Sequence, residues 1–404
     1  MGDPSRARVT GPLQEHAPGF AGELARLGYT SESAYGQMLV MAHLSRWLAG
    51  EGLAAADLMP QVAGRFLAAR RAAGYTLYLS PRALVPLLGY LRRLDVAPAP
   101  PAPAPATPAE ALLGRYQRYL VTERGLVPGT ALGYAGAVRP FLAGRESAGG
   151  LCLGDLTAGD ITAFVLATCP GKPKGPAKLT VTALRSLLGF LHVEGLIGEP
   201  LGHTVPGVAS WRLAGLPRVL EPGQVTALLA SCDRGSATGR RDFAMLTLLA
   251  RLGLRAGEVA ALCLDDIDWR AGEITVRGKG SRAERLPLPA DAGEALAAYL
   301  RDGRAVPFEA ARQVFLRVRA PHRGLTSGGV SQAVFAAGQR AGIGPVFAHQ
   351  LRHSAATGML AAGASLTEIG QVLRHRRLLS TAIYAKADIE ALRVVARPWP
   401  GGAQ

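Results

Sequence analysis

The chain has 404 residues, which is too long for one ordinary compact core, so two or three domains are expected. Lysine and arginine number 45 against 30 aspartates and glutamates, a formal charge of +15 that indicates a polyanionic partner, most commonly nucleic acid. A solubilising surface or an anionic membrane would also use such a charge. The most apolar stretch, residues 243–254, is too short to span a bilayer. The four scattered cysteines form no close pair of the kind that binds zinc, and they indicate reduced thiols in a cytoplasmic protein.

The N-terminal half contains an internal repeat on either side of a Pro/Ala segment. Residues 97–108 read APAPPAPAPATP, which predicts an extended, semi-rigid linker. Before it stands Trp47-Leu48-Ala49-Gly50, and after it Phe141-Leu142-Ala143-Gly144 stands in the matching place. Likewise Leu87-Leu88-Gly89-Tyr90-Leu91 matches Leu187-Leu188-Gly189-Phe190-Leu191. Repeated order with small shifts in spacing predicts two related helical modules, within residues 1–96 and 109–205.

The character of the chain changes after a second irregular stretch, residues 198–217, which contains Trp211 and several Gly and Pro. Glu221-Pro222 predicts a helix start, and the apolar helix that follows over residues 241–252 should end at Gly253. Short strands are predicted over residues 273–276 and 285–288, around a Gly278-Lys279-Gly280 turn. The remainder is helical, with a capping box from Ser365 to Glu368.

Two short segments at the start of this last domain carry basic residues where a site could form. Arg255 follows the predicted helix cap at Gly253, so it projects from a helix junction; an ion pair with Glu258 is the alternative interpretation. Lys279 lies at the tip of the predicted hairpin, where it could reach into a groove or form an ordinary solvated turn.

Two further segments, near the end of the chain, add histidines and a tyrosine. His349 and Arg352 are three positions apart, so they share one helix face and could bind one phosphate, although a surface pair is also compatible. Leu351, Ala355 and Met359 should anchor that helix in the core. His375 ends one helix and Thr381 caps the next, which places Tyr384 in the first turn; a packed aromatic ring is the alternative.

These segments, taken in order, resemble the tyrosine recombinase (phage integrase) family. The matching features are Gly-Leu-Arg-x-x-Glu from Gly253, the Gly-Lys-Gly hairpin, His-x-Leu-Arg-His from His349, and a His nine residues before Tyr384. The resemblance covers about residues 219–395 well and the second helical module more loosely. Together with the internal repeat, it implies a mainly α fold of two helical core-binding-like modules followed by an α+β catalytic domain with a small antiparallel sheet. The implied catalytic domain is residues 219–396, with a tail at 397–404.

Two positions depart from the family pattern. Arg374 replaces the usual Gly before His375, where it would either crowd the turn or add a phosphate contact. Gln350 replaces a frequent Asp. Neither position is catalytic in the family, and the module before the linker is extra relative to minimal members.

The resemblance implies cleavage of DNA through a covalent 3′-phosphotyrosyl intermediate on Tyr384. Arg255 and Arg352 would stabilise the charge of the phosphoryl transition state, and His375 would donate a hydrogen bond. His349 would be the general base and Lys279 the general acid. We predict chemistry without metal, ATP or another cofactor. The Asp265, Asp266 and Asp268 group is interpreted as a solvated loop.

The expected partner is double-stranded DNA, with four protomers joining two sites in the cytoplasm, on the nucleoid, with or without another recombinase or an accessory protein. Residues 386–404, with Ile389, Leu392 and Val395 at helical spacing, are predicted to dock into a neighbouring protomer. Three alternatives are a type IB topoisomerase-like enzyme, a catalytically inactive DNA-binding protein of the same fold, and an RNA- or membrane-binding basic protein. The target site, the role of residues 1–96, and the choice between integrase, transposon recombinase and resolvase stay open.

Overall fold

The computed structural model describes residues 3–100, 105–147, 149–209, 218–278, 283–304, 312–375 and 381–385. The chain divides into two compact units, of which one is residues 101–214 and the other joins residues 1–100 to 215–404. The predicted fold class is confirmed, because α-helices dominate and the sheets are small and antiparallel. Within the described ranges, no helix is both long enough and apolar enough to cross a membrane.

Residues 3–100 contain four α-helices, which are α1 Ala17–Arg26, α2 Ser31–Gly50, α3 Pro60–Ala72 and α4 Pro81–Arg93. Local signals set where they begin: Thr30 caps α2 by accepting the Ser33 backbone N–H at 3.3 Å, and proline opens α3 and α4. Their core is built from the residues at helical spacing, including Phe20, Leu44, Phe66, Leu87 and Leu91.

Residues 105–209 repeat this order of elements. The four helices are α5 Pro108–Thr122, α6 Pro128–Ala143, α7 Ala158–Thr168 and α8 Lys174–Val193, with strands β1 Glu146–Ser147 and β2 Gly150–Leu151 between α6 and α7. The predicted apolar stripe on α8 is buried at all four positions, Leu184, Leu187, Leu188 and Leu191. The relation between the two modules stays a prediction, which their matching helix order supports.

The remainder forms a helical domain around a three-stranded sheet. The helices are α9 Pro222–Ala230, α10 Ala237–Leu252, α11 Ala256–Ala261, α12 Ala290–Asp302, α13 Ser327–Arg340, α14 Ala348–Ala361, α15 Leu366–Val372 and α16 Ala382–Ala385. The strands β3 Ile267–Asp268, β4 Glu273–Arg277 and β5 Ala283–Pro287 pair in chain order, with Ile274 opposite Leu286. The long helix α10 packs against α12 and against α14, the helix that carries His349 and Arg352.

Several local predictions are confirmed: α10 ends at Gly253, the two longer strands form, and Ser365 and Glu368 make a reciprocal capping box. Two need correction. Asp266 is not solvated but 4% exposed, because its carboxylate accepts the Cys263 N–H at 2.8 Å and pairs with Arg277. Of the three residues predicted to anchor α14, Leu351 is fully buried and Met359 is half-buried against a small cluster with Ala356, whereas Ala355 is half-buried. Lys279, Trp211 and the tail 386–404 lie outside the described residues.

Candidate active site

The site begins where α10 ends. Gly253 adopts a left-handed conformation with φ of 57°, and a Cβ at this position would lie 2.5 Å from the Leu373 side chain. Only glycine meets both demands, so the turn brings the chain close to the end of α15. Two residues later Arg255 caps α11, where its backbone N–H donates to a Glu258 carboxylate oxygen at 2.8 Å.

Glu258 is the carboxylate around which two arginines gather. It accepts one bond from the Arg255 guanidinium at 2.6 Å and another from Arg374 at 2.7 Å. Burial would raise the pKa of Glu258, but the Arg255 backbone bond and the charges of Arg374 and Arg255 together lower it below the ordinary value. The ion pair foreseen as the alternative for Arg255 is therefore present. The Arg255 side chain nevertheless stays 46% exposed, so its guanidinium remains accessible to a second anion.

Arg374, where the family resemblance predicts a glycine, adopts a backbone conformation that favours glycine. Its φ is 55°, in the left-handed region, where the chain turns back after α15 and the His375 N–H donates to the Gly370 carbonyl at 2.9 Å. A residue with a Cβ pays about 1–2 kcal/mol for this conformation. The turn forms with arginine, and the guanidinium reaches back to Glu258 in a pair that is almost fully buried. Gln350, the other departure, caps the start of α14 by accepting the Phe347 N–H at 2.8 Å.

Arg352 joins the two turns. It is 1% exposed, and its guanidinium donates to the carbonyl oxygens of Gly253, at 2.5 Å, and of Leu373. Burial lowers its pKa to about 10, which leaves it cationic at neutral pH. A fork that binds two carbonyls at fixed positions cannot swing away, so a positive charge is held in place at the centre of the site.

Tyr384 lies in the short helix α16 and is 1% exposed. Its hydroxyl is hydrogen-bonded to His353 Nδ1 at 2.9 Å. Its ring lies parallel to that of His375, with centroids 6.3 Å apart, and His375 Nδ1 is bonded to the Thr381 hydroxyl at 2.8 Å. His349 contacts His353 edge-on at a centroid distance of 4.2 Å. The rings of His353 and His375 therefore flank the phenol, which also packs against Ala356, Ile369 and Leu373 in a small apolar cluster, so the packed ring foreseen as the alternative is present as well.

The electrostatics of the site favour an anion. Burial raises the pKa of Tyr384, while Arg352 and Arg255 oppose this rise. Burial and the neighbouring positive charges lower the pKa of both His353 and His375 to about 4, and that of His349 is lowered for the same reasons. At neutral pH these imidazoles are uncharged. Three guanidinium groups, those of Arg255, Arg352 and Arg374, then face the single carboxylate of Glu258, and the surplus positive charge suits a phosphate.

Five of the six catalytic residues predicted from the sequence lie in the described part of the chain. The charges of Arg352 and Arg255 act on His349, His375 and Tyr384, so the structure brings these five residues together, while Lys279 lies outside the described residues. Sequence reasoning missed His353, although it follows Arg352 and shares a helix face with His349 four positions earlier. It also missed the role of Glu258 as partner of Arg374. In the described part of the chain, no cluster of three or more His, Cys, Asp and Glu is placed to hold a metal ion.

Comparison with known proteins decides the family. A profile of the phage integrase family matches residues 218–390. The y4rA protein of Sinorhizobium fredii (strain NBRC 101917 / NGR234), named as an integrase/recombinase, is 42% identical over 98% of this chain and 96% of its own length. The chain belongs to the phage integrase family of tyrosine recombinases. The tyrosine recombinase XerD of Listeria monocytogenes (serotype 4b, strain F2365) is 31% identical over 68% of this chain and 93% of its own.

The fold agrees with this membership. The XerH site-specific recombinase, solved on a palindromic difH substrate in a post-cleavage complex, has a TM-score of 0.58 at 18% identity. The match covers 73% of this chain and 97% of that one. The resemblance drawn from the sequence is therefore confirmed at the level of family, fold and enzyme class.

Proposed function

We propose that this protein cleaves and rejoins double-stranded DNA at a specific site through a 3′-phosphotyrosyl bond to Tyr384. One observation carries the proposal: the Tyr384 hydroxyl, held by His353 at 2.9 Å, lies in the same cluster as the fixed cation of Arg352 and the accessible cation of Arg255. A packed structural tyrosine would need no such surroundings. A nucleophile that attacks a phosphodiester needs a proton acceptor and preorganised positive charge.

In the proposed cleavage step, the Tyr384 oxygen attacks phosphorus and the bond from phosphorus to the 5′ oxygen breaks. The phenolic proton passes to a histidine, and the leaving 5′ oxygen takes a proton from Lys279. The new phosphotyrosyl ester keeps the energy of the broken diester. Attack by a 5′ hydroxyl then reverses the step, and neither ATP nor a metal ion is consumed.

The identity of the proton acceptor is part of the proposal. The sequence predicts His349. The contacts support His353 instead, because its Nδ1 is already bonded to the phenol and its imidazole is uncharged at neutral pH. His349 touches the His353 ring and would then orient it.

Arg255, Arg352 and His375 would stabilise the phosphoryl oxygens. Two donors of Arg352 are held by carbonyls, and a guanidinium has five N–H groups, so it can still bind a phosphate oxygen. Arg255 would release the hydrogen bond from its guanidinium to Glu258 and donate to a phosphate oxygen instead. Arg374 keeps Glu258 paired during this exchange, which reduces the energetic cost of releasing Arg255.

We further propose that the protein acts as a homotetramer on two synapsed DNA sites, as part of a mobile element, alone or with another recombinase or accessory protein. The charge of +15 and the DNA-bound XerH neighbour support DNA as partner. We expect DNA affinity to fall steeply with salt. Deleting residues 386–404 should abolish tetramer formation and leave single-site binding; tetramers that form normally would contradict the docking role of the tail.

A covalent-trapping experiment tests the central proposal. Labelled DNA fragments that flank the gene of this protein are incubated with it in EDTA without ATP, denatured with SDS, and inspected for label that migrates with protein. Tyr384→Phe should give no adduct. Tyr299→Phe is the matched control, because Tyr299 is also 1% exposed in this domain and its hydroxyl also has a partner, the Leu316 N–H at 3.2 Å. An adduct that persists in Tyr384→Phe, or disappears equally in both variants, would refute the assignment.

A further inference from the structure

A second site lies far along the chain from the catalytic residues, in the N-terminal module. A pocket of about 290 Å³ opens along α2 and α3 and is lined by His43, Arg46, Trp47, Phe66, Arg70 and Tyr75. Its walls are therefore aromatic rings and guanidinium groups. This volume lies just below the range of about 300–1,000 Å³ that ligand pockets span, so the pocket admits at most one small ligand.

Arg70 makes this pocket unusual. Its residue is 6% exposed, yet within the described ranges no carboxylate pairs with it. Its Nη atoms bond to His43 Nδ1 at 2.6 Å and to the Leu77 carbonyl at 3.1 Å, while its Nε is buried without a hydrogen-bond partner. Buried cations are normally paired with an anion, because an unpaired charge is costly to remove from water. The pocket therefore lacks a negative charge.

The surroundings strengthen this conclusion. Burial lowers the pKa of Arg70, and burial together with the charges of Arg70 and Arg46 lowers that of His43. His43 is therefore neutral and accepts the bond from Arg70, so it adds no charge of its own. Arg46 lines the same pocket and is exposed, which places a second cation at the solvent side.

The aromatic rings indicate what accompanies the anion. Tyr75 is 42% exposed, and the Arg70 guanidinium lies 4.3 Å from its ring centroid. Trp47 and Phe66 form the next pair, with ring centroids 5.7 Å apart. The His43 ring also contacts the Tyr75 ring, at a centroid distance of 4.9 Å, so a ligand would reach the part of Tyr75 that stays exposed. Aromatic rings beside arginine are a common means of stacking an unpaired nucleobase, and they tolerate any base because each has a π-face.

We propose that this pocket binds one nucleotide, with its phosphate on Arg70 and Arg46 and its base against Tyr75 and Trp47. The nucleotide could come from two sources, a free mononucleotide or an unpaired nucleotide of a DNA strand, which share the same recognition chemistry. The site would give residues 3–100 a binding role of their own. It does not depend on the proposed cleavage chemistry, since it uses none of the same residues.

The test uses the full-length protein and isothermal titration with a deoxynucleoside monophosphate, the deoxynucleoside without phosphate, and a short single-stranded oligonucleotide. The variants are Arg46→Glu and Tyr75→Ala, both at exposed positions where folding should be preserved. Arg82→Glu is the matched control, because Arg82 is an exposed arginine on α4 that does not line the pocket. Its substitution changes the net charge by the same amount as Arg46→Glu.

We expect Tyr75→Ala to weaken binding by about tenfold or more, because it removes a ring on which the base stacks. Arg46→Glu should weaken binding by about as much, because it replaces a cation that binds the phosphate with an anion that repels it. Arg82→Glu should change binding less than about twofold. The mononucleotide should bind at least tenfold tighter than the nucleoside if the source is free nucleotide. If only the oligonucleotide binds, and Arg46→Glu weakens that binding by about tenfold while Arg82→Glu does not, the nucleotide comes from a DNA strand. Equal losses of affinity in Arg46→Glu and Arg82→Glu would overturn the proposal, and so would the absence of saturable binding for both the mononucleotide and the oligonucleotide.

Discussion

Arg374 makes two opposing contributions to stability, a left-handed backbone conformation that costs free energy and a buried ion pair that stabilises the fold. One substitution removes both and shows which is larger. Replacing it with glycine removes the left-handed backbone cost of about 1–2 kcal/mol. It also removes a guanidinium from a pair in which the two side chains are 4% and 5% exposed. Breaking a buried pair typically costs about 3–5 kcal/mol, and the cost here should lie toward the lower end because Arg255 still pairs with Glu258. The ion pair should win. Arg374→Gly is therefore expected to lose about 1–4 kcal/mol.

Thermal unfolding of the full-length protein measures this difference. In a domain of this size each kcal/mol shifts the Tm by roughly 2–4 °C, so the transition of the catalytic domain should fall by several degrees. Asp95→Gly is the matched control, because Asp95 also has a left-handed φ, of 54°, but is exposed and forms no buried ion pair. It should leave the Tm unchanged or raise it. If Arg374→Gly raises the Tm as well, backbone strain outweighs the ion pair and the reasoning is refuted.

Two further predictions follow from the same turns and histidines. Gly253→Ala should destabilise the catalytic domain and slow adduct formation, because the new Cβ would lie 2.5 Å from the Leu373 side chain and displace the Gly253 carbonyl that holds Arg352. Thermal melting and the trapping assay measure the two effects, and an unchanged Tm together with an unchanged rate would contradict this prediction. Stability should fall as pH drops from about 6.5 to about 4, because His353 and His375 stay neutral in the folded chain while the unfolded chain takes up protons over that window. The Tm of His353→Gln and of His375→Gln should depend less steeply on pH than that of the parent protein. Equal slopes would refute the attribution of this pH dependence to the two histidines.

Local signals account for the parts of the fold that the sequence predicted well. The stop at Gly253, the capping box from Ser365 and the hairpin strands each depend on residues within a few positions of one another. Signals of this kind can be recognised in the sequence without knowing how distant parts of the chain pack. The order of the motifs supplied the family, and with it the neighbourhood of Arg255, His349, Arg352, His375 and Tyr384.

The contacts that were missed join distant parts of the chain. Glu258 and Arg374 are 116 positions apart, and no periodicity or cap relates them. Asp266 was interpreted as solvated because its burial depends on Arg277, which the fold of the sheet brings to it. His353 was missed for a different reason: its neighbour Arg352 matched the family motif, and the hydrogen bond to Tyr384 exists only once α14 and α16 pack together.

The identity of the general base is open to a direct experiment. His353→Gln and His349→Gln each keep a side chain that can accept a hydrogen bond, but glutamine cannot take up a proton. The rate of adduct formation is measured in a single turnover from pH 4.5 to 8. If His353 receives the phenolic proton, His353→Gln should lower the rate by about 10²–10⁴-fold, the usual contribution of a general base.

The pH profile distinguishes a base from a residue that merely packs against Tyr384. With His353 as the base, the parent rate should fall on the acid side at a pH above about 4, because a bound phosphate raises the pKa of this imidazole from its resting value. This fall should disappear in His353→Gln and persist in His349→Gln. The opposite pattern, with the larger loss and the missing acid limb in His349→Gln, would return the role to His349. The 2.9 Å bond from Tyr384 to His353 would then belong to a resting state that the nucleophile must leave before it reacts.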